Sequence, residues 1–255
     1  MAGLIIFYCP ASPSYPLLPM SHTRLCVQAV DIGPYVTDAS IGYLHAMPVR
    51  KDIPYNEGLF FITFTCYKWL PLIEQTNGYD LVYGWFDYLK KQNHRITGYV
   101  IMPNHVHVLI DFAKSIKKIN TIIGDGKRFM AYEIIRRLET EGNTGTLNQL
   151  EKGVSTKDKN NGKKHEVWEE SFDWKYCETV AFAYQKLIYM HNNPCAGKWN
   201  LAEEITKYEH SSARYYIAGK HASYKVTDIE TIFAARGIPS EREYNVADEE
   251  EQLSS

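Results

Sequence analysis

One stretch decides how this chain folds: Met102-Pro103-Asn104-His105-Val106-His107-Val108-Leu109-Ile110. Side chains on a β-strand alternate between its two faces, so residues two apart point the same way. The apolar, β-branched run from Val106 to Phe112 predicts a strand, and both imidazoles would leave one face of it. Two imidazoles this close can share a cation, although many H-x-H pairs are merely packed or solvated histidines.

A second informative segment lies more than eighty residues downstream, where the run from about Glu178 to Asn192 predicts a helix that Pro194 ends. Tyr189 and Asn193 are four residues apart, so they lie one above the other beside the apolar stripe. Because Asn193 precedes proline, it is biased out of helical geometry and is expected at a frayed last turn. One helix could thus present a nucleophile and an amide ligand. Alternatively, the tyrosine lies at a helix edge and the asparagine caps the helix.

The periodicity along the chain predicts an α+β fold of the ferredoxin-like type, with the order strand-helix-strand-strand-helix-strand in an antiparallel sheet. In that architecture two helices cover one face of the sheet, and the tyrosine helix follows the last strand. The expected elements are strands at 59–67, 95–102, 105–112 and 165–174, a helix at 79–92, and a helical region at 116–139 that the glycines at 124 and 126 could interrupt.

Composition divides the chain into three parts. Residues 1–46 are rich in Pro, Ser and Tyr without a sustained period, and they are expected to form a flexible extension unnecessary for catalysis. Residues 47–220 are expected to form the folded domain, with an exposed Asn-, Lys- and Gly-rich insertion at 140–164. Residues 221–255 are expected to be a C-terminal extension that ends in an acidic tail.

The two segments together resemble the single-tyrosine HUH transposases, and most closely the branch of REP-associated tyrosine transposases. The resemblance rests on Met102–Ile110 and on Tyr189-Met190-His191-Asn192-Asn193-Pro194. Further pieces fit, namely the first strand at 59–65, the aromatic segment at 167–174 and a tail element at 208–216. The similarity covers residues 47–220.

This resemblance implies a metal-dependent enzyme that cleaves single-stranded or hairpin DNA and transfers the strand through a covalent 5′-phosphotyrosine. It implies that His105 and His107 bind a divalent cation, Mg²⁺ or Mn²⁺, that Asn193 completes the metal site, and that Tyr189 is the nucleophile. It also allows a homodimer. The donor types alone would suit zinc, iron or copper as well, and magnesium fits because phosphate and water would supply hard oxygens.

The formal net charge is −2, but basic residues are concentrated between Lys114 and Arg137, where seven Lys and Arg face two acidic residues. Such a local surplus can neutralise DNA phosphates, although a solvated helix face is the commoner arrangement. Beside a phosphodiester site we expect DNA contacts, and the candidates are Lys117, Lys118, Lys127, Arg128, Arg136 and Arg137.

The remaining composition bears on compartment. Five scattered cysteines without C-x-x-C spacing favour a reducing interior, and no apolar run approaches the ~20 residues of a membrane span. We expect a cytoplasmic, nucleoid-associated protein.

Two other hypotheses stay open: a domesticated, non-catalytic nucleic-acid-binding module of the same fold, and hydrolysis of a phosphodiester by water. The second is disfavoured because no acidic residue neighbours the H-x-H pair.

Overall fold

The computed structural model describes residues 52–197 and 199–238. The predicted extension at 1–46 and the acidic tail at 247–255 lie outside these residues. Within them the chain forms four strands, β1 (Gly58–Thr65), β2 (Arg95–Met102), β3 (His105–Phe112) and β4 (Asp173–Tyr176). Among the described residues there is no helix with the length and apolar character to cross a membrane.

The helices are named here in chain order. They are α1 (Leu72–Gln75), α2 (Tyr79–Lys91), α3 (Ile119–Thr140), α4 (Thr144–Gly153), α5 (Thr156–Asn160), α6 (Val180–Asn192), α7 (Ala213–Ala218) and α8 (Ile229–Ala234). Two 3-10 turns, Tyr67–Trp69 and Asn193–Cys195, follow β1 and α6.

The four strands form one antiparallel sheet in the order β2-β3-β1-β4. With α2 between β1 and β2 and α3 between β3 and β4, this is the ferredoxin-like βαββαβ arrangement. The predicted fold class is therefore confirmed. Strand pairing sets the register that matters most below, because Thr63 lies opposite His107 and Thr65 lies opposite His105.

Strand alternation gives the sheet two buried faces. Phe60, Ile62 and Phe64 of β1 pack with α2 and α3 in the larger core. The intervening residues Leu59 and Phe61 pack instead with α6 and α8 in a smaller core. His105 and His107 share the face of the smaller core, since Val106 and Val108 belong to the larger one. The histidines and α6 therefore lie on the same side of the sheet, and α3 lies on the other.

The fourth strand differs from its prediction at 165–174. β4 spans Asp173–Tyr176 and pairs with β1 at the edge of the sheet, while Trp168 makes only an isolated bridge to Cys66. A short, half-exposed edge strand shows little alternation of apolar and polar residues. The aromatic residues before it therefore determined where the sequence predicted the strand. Trp168 instead packs edge-on against Phe64 in the larger core.

Helix α3 is continuous where the sequence allowed a break. At Gly126 the helix backbone approaches Trp85 of α2 so closely that a Cβ would lie 2.3 Å from the indole Nε1. This glycine permits close helix packing and does not end the helix.

Packing bears on two of the predicted boundaries, those of the insertion at 140–164 and the end of the domain at 220. The segment at 140–164 is largely exposed, but it forms α4 and α5, and Leu150 of α4 is buried in the larger core. Beyond residue 220, Ile229 and Phe233 of α8 are buried against the sheet. The packed body thus continues past the boundary predicted for the domain.

Candidate active site on the sheet face under α6

The two histidines of β3 lie side by side on the face of the sheet that α6 covers. Their ring centroids are 4.7 Å apart with the rings nearly perpendicular, at 82°. Both are almost fully buried, with 4% of His105 and 5% of His107 exposed. The strand period of two predicted this shared face, and pairing on both edges of β3 makes it rigid.

Asn104 determines which nitrogen of His105 is available. Its Nδ2 donates to the carbonyl oxygen of Trp69 at 3.0 Å, so its Oδ1 is the atom 2.7 Å from His105 Nδ1. Because an amide oxygen can only accept, Nδ1 of His105 carries the proton. The lone pair is then on Nε2, which is the pattern found in metal-binding histidines.

Thr63, on the neighbouring strand β1, is the polar partner of Nδ1 of His107. Its Oγ1 lies 2.6 Å from His107 Nδ1, across the β1–β3 register. A cation on Nε2 requires the tautomer in which Nδ1–H donates to the threonine hydroxyl. Both rings therefore have one nitrogen held by a polar partner and one left for a ligand.

Burial keeps both imidazoles neutral. It lowers the pKa of His105 to about 4 and that of His107 to about 3, with the neighbouring His105 lowering the latter further. Neutral imidazole is the form that binds metals, so at neutral pH no proton competes with a cation at these nitrogens.

Helix α6 brings Tyr189 to the histidines of its own chain. The tyrosine ring lies 5.5 Å from the ring of His107 and 6.1 Å from that of Phe61. Its side chain is 53% exposed, whereas Leu187 and Met190 beside it are buried under the helix. A phenol placed in this way is open to a large substrate on one side and faces the histidine pair on the other.

Three features define the position of α6. Thr179 caps its N-terminus by accepting the backbone N–H of Phe182. In β2, Gly98 lets the helix approach closely, since a Cβ there would lie 2.5 Å from Cδ1 of Leu187. Near the other end, Nε2 of the buried His191 lies 2.8 Å from Oγ of Ser212. Tyr189 thus projects from a helix that is capped at its start and packed against β2 and Ser212 near its end.

Asn193 is near Tyr189, but its amide is used by the helix. Its Nδ2 donates to the carbonyl oxygen of Tyr189 at 3.1 Å, so Oδ1 is the atom left for a ligand. The expected departure from helical geometry before Pro194 is wrong, since φ −53° and ψ −44° are helical and the chain continues as a 3-10 turn. The structure therefore places Asn193 as a helix cap beside the site.

The predicted DNA-binding cluster lies mostly on α3, across the sheet from the histidines, and most of its charges are engaged. Lys127 is buried, and its ammonium donates to the carbonyl oxygens of Glu169 and Ser171. Arg137 pairs with Asp80 and also binds two backbone carbonyls. The other engaged residues form ion pairs with acidic side chains of α3, namely Lys117 and Arg128 with Asp125, and Arg136 with Glu133. Lys118 is exposed at the start of α3.

Two lysines that the sequence did not single out lie on the face of the histidines. Lys175 of β4 is opposite Phe61 in the register, so the two side chains share a face. Lys186, one turn before Tyr189, places its ammonium 5.9 Å from the centroid of the Phe61 ring. The spacing of Lys186 and Tyr189 on one helix could have indicated Lys186 from the sequence. The position of Lys175 follows only from the register of the sheet.

The side chains present fit a divalent cation with open coordination positions. Two neutral imidazoles with free Nε2 atoms are available, and substrate and water would supply further ligands. The amide oxygen of Asn193 is free of the helix, at the end of the element that carries Tyr189. The described residues contain no group of three or more His, Cys, Asp or Glu side chains placed to hold a metal ion. Any metal here would thus depend on the two histidines and on oxygen ligands from outside their strand.

Comparison with known proteins gives structural neighbours only. No protein-family model matches the chain, and a search of curated proteins also finds no match. Among solved structures, a REP-associated tyrosine transposase bound to a REP hairpin is similar, with 14% identity and a TM-score of 0.45. The match covers 72% of this chain and 93% of that one.

A second neighbour is a protein from Deinococcus radiodurans R1 described as a candidate transposase. It has 14% identity and a TM-score of 0.33, and the match covers 56% of this chain and 97% of that one.

Proposed function

We propose that this protein cleaves single-stranded or hairpin DNA by transferring a phosphodiester to Tyr189, and that it later rejoins the strand. The observation that carries the proposal is the placement, within one chain, of the exposed ring of Tyr189 with its centroid 5.5 Å from that of His107, one member of the buried histidine pair. Each imidazole of that pair has only its Nε2 left for a ligand.

The chemistry conserves the phosphodiester energy. The phenolic oxygen of Tyr189 bonds to phosphorus as its proton leaves, the bond from phosphorus to the 3′ oxygen breaks, and that oxygen takes up a proton. The products are a 5′-phosphotyrosine and a free 3′-hydroxyl, and attack by a 3′-hydroxyl reverses the step. A Mg²⁺ or Mn²⁺ ion held by His105, His107 and Asn193 would stabilise negative charge on the phosphate oxygens.

Charge on the same face supports a DNA path past Phe61. Lys175 and Lys186 flank this ring, whereas most of the α3 cluster is tied up in ion pairs on the other side of the sheet. We therefore assign phosphate contacts to these two lysines. Replacing either with alanine should weaken DNA binding and reduce its salt dependence by roughly one phosphate contact. Lys118→Ala, on the opposite face, is the matched control and should bind DNA normally.

Covalent capture tests the reaction itself. A hairpin substrate labelled at its 3′ end is incubated with the protein and Mn²⁺, and a labelled adduct that survives denaturation is the expected product. Tyr189→Phe should abolish the adduct. Tyr132→Phe changes a phenol that is 67% exposed on α3, and it should leave the adduct unchanged.

Each other outcome of that experiment identifies a different function. An adduct that persists in Tyr189→Phe would show that another residue is the nucleophile. Nicked DNA without an adduct in both proteins would indicate hydrolysis by water. Hairpin binding without cleavage in any divalent metal, unchanged in His105→Ala and His107→Ala, would identify a non-catalytic nucleic-acid-binding module.

A further inference from the structure

The turn after β1 has an unusual backbone. Lys68 and Trp69 are consecutive non-glycine residues with positive φ, at 48° and 58°. L-residues rarely adopt this region because Cβ approaches the neighbouring carbonyl oxygen. Strained residues of this kind persist only where the surroundings hold them, and they are concentrated at binding and active sites.

Side chains from two distant segments hold this turn in place. The backbone N–H of Lys68 donates to Oε1 of Glu169 at 2.7 Å, and the carbonyl oxygen of Trp69 accepts Nδ2 of Asn104 at 3.0 Å. Asn104 is also the residue that orients His105. One amide thus fixes both the turn that carries the tryptophan and the imidazole next to it.

The indole that this turn presents is exposed beside the histidine pair. Trp69 is 55% exposed, although tryptophan is usually well buried, and its ring lies 5.6 Å from that of His105 at 67°. Tyr189 contacts the other histidine, His107. The ring contacts therefore run from Trp69 to His105, from His105 to His107 and from His107 to the phenol.

We propose that Trp69 is a stacking platform for an unpaired nucleobase of the DNA strand whose phosphate is bound at His105 and His107. This inference rests on the proposed function and adds a base-binding subsite to it. An indole face stacks well on any base, and an unpaired base has a free face to offer. Fixing the indole in advance spares the ordering entropy that a free side chain would lose on binding.

Binding in the absence of metal isolates this subsite from the cleavage step. The probe is a labelled single-stranded oligonucleotide of mixed sequence, measured by fluorescence anisotropy in EDTA. Trp69→Ala and Trp69→Leu should weaken binding roughly 5- to 150-fold, the range found for aromatic residues that stack on bases. Trp69→Phe should retain most of the affinity. Phe129→Ala removes a ring that is 64% exposed on α3 and should bind like the wild type.

A second measurement locates the base. An abasic site is moved along the strand, and at one position it should weaken binding to the wild type but not further weaken binding to Trp69→Leu. Leucine keeps the turn and an apolar side chain, and circular dichroism with urea unfolding confirms that each variant folds. The proposal is overturned if Trp69→Ala binds like Phe129→Ala, or if every abasic penalty is the same in the wild type and Trp69→Leu.

The two proposals fail in different ways. Binding that depends on Trp69, in a protein that forms no adduct with Mn²⁺, would refute the cleavage function alone. Normal adduct formation with binding unaffected by Trp69→Ala would refute the stacking platform alone. A wild type that binds no single strand would refute the stacking platform, and one that also forms no adduct with a hairpin substrate would refute both.

Discussion

Replacing Thr63 with valine should weaken metal binding at the site while leaving the fold intact. Valine keeps the branched shape and removes only the hydroxyl that lies 2.6 Å from His107 Nδ1. Without this hydrogen-bond partner, the tautomer of His107 with its proton on Nδ1 is no longer stabilised over the other. The ring can then adopt the other tautomer, in which Nε2 carries the proton and cannot bind a cation.

The expected size follows from the position of the lost bond. Removing the outer hydrogen-bond partner of a metal-binding histidine typically costs about 10- to 100-fold in metal affinity or activity. This range corresponds to about 1.4–2.7 kcal/mol of binding free energy. Because the unpaired Nδ1 lies at a largely buried ring, the free energy of unfolding should also fall, by about 1–2 kcal/mol.

Calorimetric titration with Mn²⁺ measures the metal affinity directly, and the Mn²⁺ dependence of adduct formation measures its consequence. Thr65→Val is the matched control. Thr65 is on β1, as Thr63 is, and lies opposite His105 of β3, but its hydroxyl makes no hydrogen bond to any described residue. Thr63→Ser should restore binding. If Thr63→Val binds Mn²⁺ as tightly as the wild type, the assignment of His107 Nε2 as a ligand is wrong.

Three further predictions concern the stability of the fold, and urea unfolding tests each of them. Gly126→Ala should be less stable than Gly124→Ala by about 1–3 kcal/mol, because both gain helix propensity but only the former forces a methyl group against Trp85; equal stabilities would contradict the packing seen here. Asp111→Ala should lose about 2–4 kcal/mol, because this buried carboxylate pairs with two arginines that reach solvent; a loss below 1 kcal/mol would show that the pairs are unimportant. Burial lowers the pKa of His94, so the unfolded chain takes up a proton at a higher pH than the folded chain does, and the free energy of unfolding should fall as the pH drops below about 6.5. His94→Asn should show a shallower fall, because its amide does not titrate and its oxygen can still accept the N–H of Ala113.

The central part of the fold could be predicted because its signals are local. Strands β2 and β3 begin and end where the sequence predicts, since alternation and the Pro103-Asn104 turn both act within a few residues. Helix α2 was predicted to within one residue for the same reason, from the spacing of its apolar positions.

The misassigned elements depend on distant partners. β4 is short and becomes a strand only by pairing with β1, so its own residues carried a weak signal. The glycines of α3 suggested a break because their sequence context does not show that Trp85 lies against Gly126.

The basic cluster of α3 shows the same limit for function. Its charges were evident in the sequence, but their ion pairs and their side of the sheet were not. Lys186 was visible through its spacing from Tyr189, whereas Thr63, Asn104 and Trp69 became part of the site only through strand register and hydrogen bonds between segments.

The amino-acid order by itself determined that two imidazoles leave one face of a strand and that a tyrosine and an asparagine lie one turn apart on a helix. Both follow from backbone periods that act over a few residues. Tertiary structure alone decided that this helix covers the histidine face, that each imidazole has one nitrogen held, and that an indole lies beside the pair. These features require contacts between residues far apart in the chain, and such contacts depend on how the apolar faces of whole elements pack together.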